Sequence, residues 1–255
     1  MKRTIIFSVI LLTLTTFGYT APTMTMTTSK SGTASILLAG SGSCTIDWGD
    51  GSAVETHTLQ APDEQGWTGE QHTFTHRYSR GSARTISIAG ENITHFNCWR
   101  MEVTDLNVSE NAVLTELICY RNVLSALNVS KNTALTRLYC NDNQIAELDV
   151  SALAALTYLD CYTNELKHLD ISKNAKLETL NCDENHLTTL DASANPVLGS
   201  LSCRSNQFAV AALDALLKSL HNNEMKIKVA HIQKNPGSEG CNTAIGKDKQ
   251  WTVWN

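Results

Sequence analysis

Cys98, Cys119, Cys140, Cys161, Cys182 and Cys203 are separated by 21 residues five times in succession, a metre that a stack of equivalent coils accounts for. The columns beside them keep the same period. Two residues before each Cys stand Phe96, Leu117, Leu138, Leu159, Leu180 and Leu201, and five before stand Ile93, Leu114, Leu135, Leu156, Leu177 and Leu198. Five after stand Val103, Leu124, Ile145, Leu166, Leu187 and Phe208. One coil cannot bury such columns alone, whereas coils stacked with strands about 4.8 Å apart merge them into a shared interior. Three residues after the Cys come Asn122, Asn143, Asn164, Asn185 and Asn206, with Met101 in the first coil. The amide is expected to turn inward and satisfy backbone groups where each strand bends away.

Written out, each unit is L-x-x-L-x-C-x-x-N-x-L-x-x-L-x-V-S, which resembles the leucine-rich repeat with Cys in one Leu position, over about residues 92–208. The resemblance implies a solenoid with one parallel β-sheet, of the kind found in secreted bacterial repeat proteins of internalin and Bacteroidetes type. Eight cysteines in an exported chain would ordinarily point to disulfides. In register on parallel strands, however, neighbouring thiols keep their Cβ atoms about 4.8 Å apart with parallel vectors, where a disulfide needs about 3.8 Å and convergence. The six are therefore expected to be a buried ladder of free thiols acting as small apolar groups. Cys44 and Cys241 are expected to be core thiols as well. No Zn-type Cys spacing occurs, Asp47 and Asp50 do not have the alternate-residue spacing of a calcium loop, and no metal or cofactor is expected.

The flanks have other textures. Residues 21–91 lack the period and carry alternating segments at Thr23–Thr28, Ala34–Leu38, Cys44–Trp48, Val54–Leu59, His72–Tyr78 and Arg84–Ile88, the pattern of a small antiparallel β-sandwich. The stretch Ile46-Asp47-Trp48-Gly49-Asp50-Gly51-Ser52, with His76-Arg77-Tyr78 and Gly81 before Thr85-Ile86-Ser87-Ile88, resembles the PKD family of immunoglobulin-like domains. Residues 209–255 read as an α/β cap. Val210, Leu213, Leu216, Leu217 and Leu220 form a helical stripe, Ile227 and Val229 a short strand, Ala244 and Ile245 a second helix, and Trp251–Trp254 a closing strand. The fold class is thus mainly β with short helices: a PKD-like sandwich, six repeat coils and a cap.

Lys2 and Arg3 followed by the apolar run Ile5–Leu14 read as a secretory signal over 1–20, too short an apolar stretch to span a bilayer. Removing those two bases from 20 leaves 18 against 25 acids, a charge of −7, which argues against nucleic acid as a partner. A secreted or surface-exposed monomer with no membrane span is expected.

Function falls to the strand side chains that point away from the core, three and one before each Cys and one and two after it. They read His95, Glu116, Arg137, Tyr158, Thr179 and Ser200; Asn97, Ile118, Tyr139, Asp160, Asn181 and Ser202; Trp99, Tyr120, Asn141, Tyr162, Asp183 and Arg204; and Arg100, Arg121, Asp142, Thr163, Glu184 and Ser205. Trp99, Ile118, Tyr120, Tyr139, Tyr158 and Tyr162, with Arg100, Arg121 and Arg137 at one end and Asp160 and Asp183 at the other, have the composition of a recognition surface. The expected ligand is a protein held in adhesion or protein–protein contact; aromatic faces with Arg also suit a cell-surface glycan. Hydrolase, zinc-protease, P-loop and dinucleotide motifs are absent from the sequence, and no catalytic residues are expected.

Overall fold

The computed structural model describes residues 23–62, 69–225 and 227–255; the expected signal segment lies outside the described residues. The first six strands are β1 (Met24–Thr28), β2 (Gly32–Gly40), β3 (Ser43–Asp47), β4 (Glu55–Thr58), β5 (Thr73–Tyr78) and β6 (Arg84–Ala89). The coils contribute β7 (Ile93–Asn97), β8 (Val103–Asn107), β9 (Glu116–Ile118), β10 (Arg137–Tyr139), β11 (Tyr158–Asp160), β12 (Thr179–Asn181) and β13 (Ser200–Ser202). Then come α1 (Val210–Ser219), β14 (Val229–His231), α2 (Ala244–Lys247) and β15 (Thr252–Trp254).

The strands form two sheets. The smaller runs β4-β3-β6-β1-β8, and the larger runs β15-β14-β13-β12-β11-β10-β9-β7-β2-β5. From β7 through β15 the larger sheet is parallel and in register at every step, for example Leu117 beside Phe96 and Leu138, while β2 and β5 join it antiparallel. The larger sheet therefore crosses position 91/92 without a break. β7, the first repeat strand, pairs on one side with β2 and on the other with β9. The return path of the first coil, read from sequence only as an apolar pair, is strand β8, which pairs antiparallel with β1. An end coil has unpaired backbone on its outer side, and the amino-terminal strands supply the missing donors and acceptors.

One continuous core fills both parts, from Met24 and Trp48 through Phe96 and the six ladder cysteines to Phe208 and Trp251. All six ladder thiols are fully buried and unpaired with one another. Burial raises every one of their pKa values, that of Cys98 to about 12, so they stay neutral. Cys44 is also buried, whereas Cys241 is only partly covered, less enclosed than the sequence led us to expect. In the amino-terminal part, Trp48 is sealed beneath the turn that follows it, with its indole N–H donating to Glu55 at 3.0 Å and the Tyr78 hydroxyl donating to its carbonyl at 2.7 Å. Gly49 makes that turn possible. It has φ +72°, and a Cβ there would stand 2.1 Å from the Thr85 carbonyl oxygen.

The asparagine column does what its position implies. The Asn164 amide donates to the carbonyls of Cys140 and Cys161 at 3.1 Å each, and its Oδ1 accepts from the Ile145 N–H at 3.0 Å. Asn122, Asn143, Asn185 and Asn206 repeat the arrangement. A second buried ladder, Asn111, Asn132, Asn174 and Asn195, stitches the opposite corner of the coils, with Leu153 in the remaining position. The residue two after each Cys is left-handed without being glycine: Arg100, Arg121, Asp142, Thr163, Glu184 and Ser205 have φ between 51° and 54°. Each corner therefore stores strain of order 1 kcal/mol, held in place by the Asn bonds beside it.

Candidate binding surface

The parallel register fixes which outward side chains are neighbours. Residues 21 apart sit side by side about 4.8 Å apart, and residues two apart on one strand lie about 6.7 Å apart on the same face. The open face from β7 to β13 thus spans about 24 Å across the strands, with two further strands beyond it.

At the amino-terminal end, Trp99 and Tyr120 lie with ring centroids 5.7 Å apart and planes tilted by 36°, and the Arg100 guanidinium is 5.2 Å from the Trp99 ring. Ile118 packs with Leu37 and Ala39 of β2 in a small satellite cluster of its own, so the face is continuous with the amino-terminal strands. Glu116 bridges this end to the middle, lying 3.8 Å from His95 and 3.8 Å from Arg137. Burial lowers the His95 pKa, favouring its neutral form.

In the middle, Tyr139 and Tyr158 are 4.8 Å apart, and the Arg137 guanidinium lies 5.6 Å and 5.3 Å from their rings. Arg137 Nε donates to the Tyr139 hydroxyl at 3.0 Å, which fixes the arginine over the pair rather than letting it wander. Arg121 meets Asp142 of the next coil at 3.6 Å, an exposed contact worth a few tenths of a kcal/mol. Asp160 is flanked in register by Tyr139 and Asn181 and along its own strand by Tyr158 and Tyr162. Burial raises its pKa to about 6, the Tyr162 backbone N–H offsets part of that, and the Asp183 and Asp142 carboxylates push the same way as burial. Its Oδ1 is buried with no hydrogen-bond partner.

At the far end, Asp183 is only 4% exposed. Its Oδ1 accepts from the Ser202 hydroxyl and the Arg204 N–H at 2.6 Å each, and its Oδ2 meets Arg204 Nη2 at 2.6 Å and Nε at 2.7 Å. Both oxygens are spent on holding Arg204, so Asp183 shapes the face while Arg204 is the group that faces solvent. Asn97 and Asn141 are likewise nearly covered. Of the residues singled out from sequence, Trp99, Arg100, Ile118, Tyr120, Arg121, Arg137, Tyr139, Tyr158, Asp160 and Tyr162 lie together on this face with at least part of each side chain accessible.

The face extends further than the 21-residue period showed. Asn235 continues the ladder 29 residues after Asn206, accepting from the Asn206 N–H at 3.1 Å and donating to the Cys203 carbonyl at 3.0 Å. Ile232 stands where the Cys would be, and β14 and β15 add His231 and Trp254, stacked 6.3 Å apart with planes 8° from parallel. The helix α1 is inserted into this seventh coil, which lengthens the interval and hides the match. The signal available in sequence was the Ile-x-x-Asn spacing at 232–235.

The surface is an open sheet. Clefts lie off it, one of about 380 Å³ beside Ser41–Thr45 and Ala89–Asn92, another of about 440 Å³ on the outer side of the coils by Glu147, Asp149, Lys167 and His168. Among the described residues, no cluster of three or more His, Cys, Asp or Glu is placed to hold a metal ion, and no helix is long and apolar enough to cross a membrane.

The sequence matches no protein-family model and no curated protein. Among solved structures, the chain is similar to an internalin from Listeria monocytogenes at 20% identity and a TM-score of 0.49, over 58% of this chain and 43% of that one. It is similar to the functional domain of InlJ from Listeria monocytogenes, which includes a cysteine ladder, at 22% identity and a TM-score of 0.27, over 67% of this chain and 50% of that one. A leucine-rich repeat protein of Leptospira interrogans matches at 23% identity and a TM-score of 0.46, over 55% and 36%. The chain thus spans half or less of the length of these three proteins. Its own geometry, in-register parallel strands recurring every 21 residues with an Asn rung at each turn, is that of a leucine-rich repeat solenoid with a cysteine ladder.

Proposed function

We propose that the protein is an exported, non-catalytic binding module that holds a protein partner against the open face of its parallel sheet, in adhesion or another protein–protein contact. The observation that carries this is the gathering of Trp99, Tyr120, Tyr139 and Tyr158 with Arg100 and Arg137 in two clusters of tilted rings on one face. Aromatic and arginine anchors dominate the energetics of interfaces, and here the sheet holds their backbones rigidly, so little ordering cost falls on binding. About 24 Å across six strands by about 17 Å along them suits one helix or one extended segment of a partner. Export rests on the leader-like segment, and the amino-terminal strands are read as a PKD-like domain that closes the first coil.

A glycan is the second reading, favoured by the tilted Trp99 and Tyr120 pair, whose ring faces could stack on a sugar. The test is capture on protein and glycan arrays by the wild type and by a Tyr120→Ala, Tyr139→Ala, Tyr162→Ala variant. Capture from the protein array that the variant loses, with an unchanged melting curve, supports the proposal. Capture from the glycan array alone selects the second reading, and capture that the variant retains removes the face from the account.

A further inference from the structure

The column one before each Cys holds Asn97, Ile118, Tyr139, Asp160, Asn181 and Ser202. Asn97 and Asn181 each use Oδ1 to accept the N–H two residues on, that of Trp99 at 2.9 Å and that of Asp183 at 3.2 Å. Asp160 does the same for the Tyr162 N–H, and its carboxylate also accepts from the Asn181 side-chain amide. An amide therefore suffices for the local structure at this position, and the negative charge of Asp160 has no use in the coil. Of the other face acids, Asp142 is matched to Arg121, Asp183 to Arg204, and Glu116 to His95 and Arg137, while Glu184 at the corner accepts from the Thr163 hydroxyl. No cation of the described chain stands within ion-pair distance of Asp160, and one of its oxygens is buried without a partner. Three tyrosines surround it, Tyr139 across the sheet and Tyr158 and Tyr162 along its strand, and the Arg137 guanidinium already lies 5.6 Å and 5.3 Å from the Tyr139 and Tyr158 rings. A carboxylate without an ion-pair partner, beside tyrosine rings that already hold one guanidinium, is the composition that recognises an ammonium or guanidinium group.

We propose that Asp160, with Tyr139, Tyr158 and Tyr162, forms a cation subsite at the centre of the face, which receives one lysine or arginine side chain of the protein partner. This deepens the function proposed above and rests on it. The groups facing Asp160 are Tyr139 from β10, with the Arg137 guanidinium of the same strand over the Tyr139 and Tyr158 rings, Asn181 and Asp183 from β12 and its edge, Asp142 from the preceding corner, and the neutral thiols of Cys140 and Cys161 from beneath. Burial raises the pKa values of the Cys140 and Cys161 thiols and of Tyr158 and Tyr162, so ionisation of Asp160 itself gates the subsite, in line with its pKa near 6.

The test is titration of the isotopically labelled protein with the peptides acetyl-Gly-Lys-Gly-amide and acetyl-Gly-Arg-Gly-amide, followed by backbone NMR shifts. The Nε-acetyl-lysine peptide, which keeps the shape and loses the charge, serves as the comparison. Expected are saturable shifts centred on residues 139, 158, 160 and 162, at least tenfold weaker binding of the acetylated peptide, about tenfold weakening from pH 7.5 to 5, and loss of binding in Asp160→Asn. Equal binding of charged and acetylated peptides to the wild type, binding retained by Asp160→Asn, or no shifts at the four residues with either peptide overturns the subsite. Array capture that the triple tyrosine variant loses but Asp160→Asn retains also removes the subsite while leaving the face; capture retained by both removes the face, and the peptide titration then decides the subsite alone.

Discussion

Replacing Asp160 by Asn should make the protein more stable at neutral pH, and by an amount that depends on pH. Asn keeps the bond to the Tyr162 N–H, as Asn97 and Asn181 show in the same column, and removes a charge that is poorly solvated. In the folded chain the carboxyl titrates near 6 against an ordinary 3.8, a gap worth about 3 kcal/mol at 1.36 kcal/mol per tenfold in proton affinity. The residue is half-buried, and solvent screens the effect, leaving about 1–2 kcal/mol. The sign follows from linkage. The folded state takes up its proton as pH falls through about 6, while the unfolded chain waits until about 3.8, so the wild type gains stability over that window and loses it as pH rises again. Urea unfolding of both proteins at pH 7.5, 6 and 4.5 reads the difference directly, with unchanged slope against denaturant confirming that the unfolded states match. The variant should lead by about 1–2 kcal/mol at pH 7.5 and by about a third of that at pH 4.5, the remainder closing only as the unfolded chain also takes up its proton near 3.8. A variant that is less stable at pH 7.5, or a gap that does not move with pH, refutes the reasoning.

Asn164→Ala strands the Ile145 N–H inside the stack and removes one of the two amide donors from each of the Cys140 and Cys161 carbonyls, which keep Asn143 and Asn185; it should cost about 2–3 kcal/mol, measured by denaturant unfolding, and a cost below about 1 kcal/mol would contradict the ladder's role. Thr163→Gly should stabilise by about 0.5–1 kcal/mol, because a β-branched residue at φ 51° is strained more than glycine is, and a lower melting temperature would show the corner to be relaxed. Thiol titration without reductant should count eight free thiols after unfolding, whereas in the native protein Cys241 alone should react on a practical timescale; intermolecular or internal disulfides would count against the buried ladder.

The coil was legible because its period leaves marks at every level: apolar columns, a small sulfur column and an amide column repeat together, and each maps to one physical demand of a stacked turn. The outward positions followed from the same metre, since alternation along a strand decides which side faces out. Less legible was whatever depends on one neighbour rather than on the repeat. Asp183 looks like an open acid in sequence, but Arg204 one coil later claims both its oxygens. The second Asn ladder at 111, 132, 174 and 195 was hidden because Leu153 interrupts it. Asn235 and Ile232 belong to a seventh coil, yet α1 lies between them and the sixth. The passage of the larger sheet from β7 into β2 left no trace in composition either, because edge pairing is made by backbone groups that every sequence carries.

The central claim is that a partner sits on the tyrosine face, and nitration with tetranitromethane of the protein saturated with its array-selected partner tests it most directly. Tyr120, Tyr139, Tyr158 and Tyr162 should be shielded in the complex and modified in the free protein, while the exposed lysines off the sheet, Lys131, Lys167, Lys173 and Lys176, keep their reactivity toward an amine reagent in both. Tyrosines that react equally in the two states, with those lysines protected instead, would put the partner on the outer side of the coils and contradict the account.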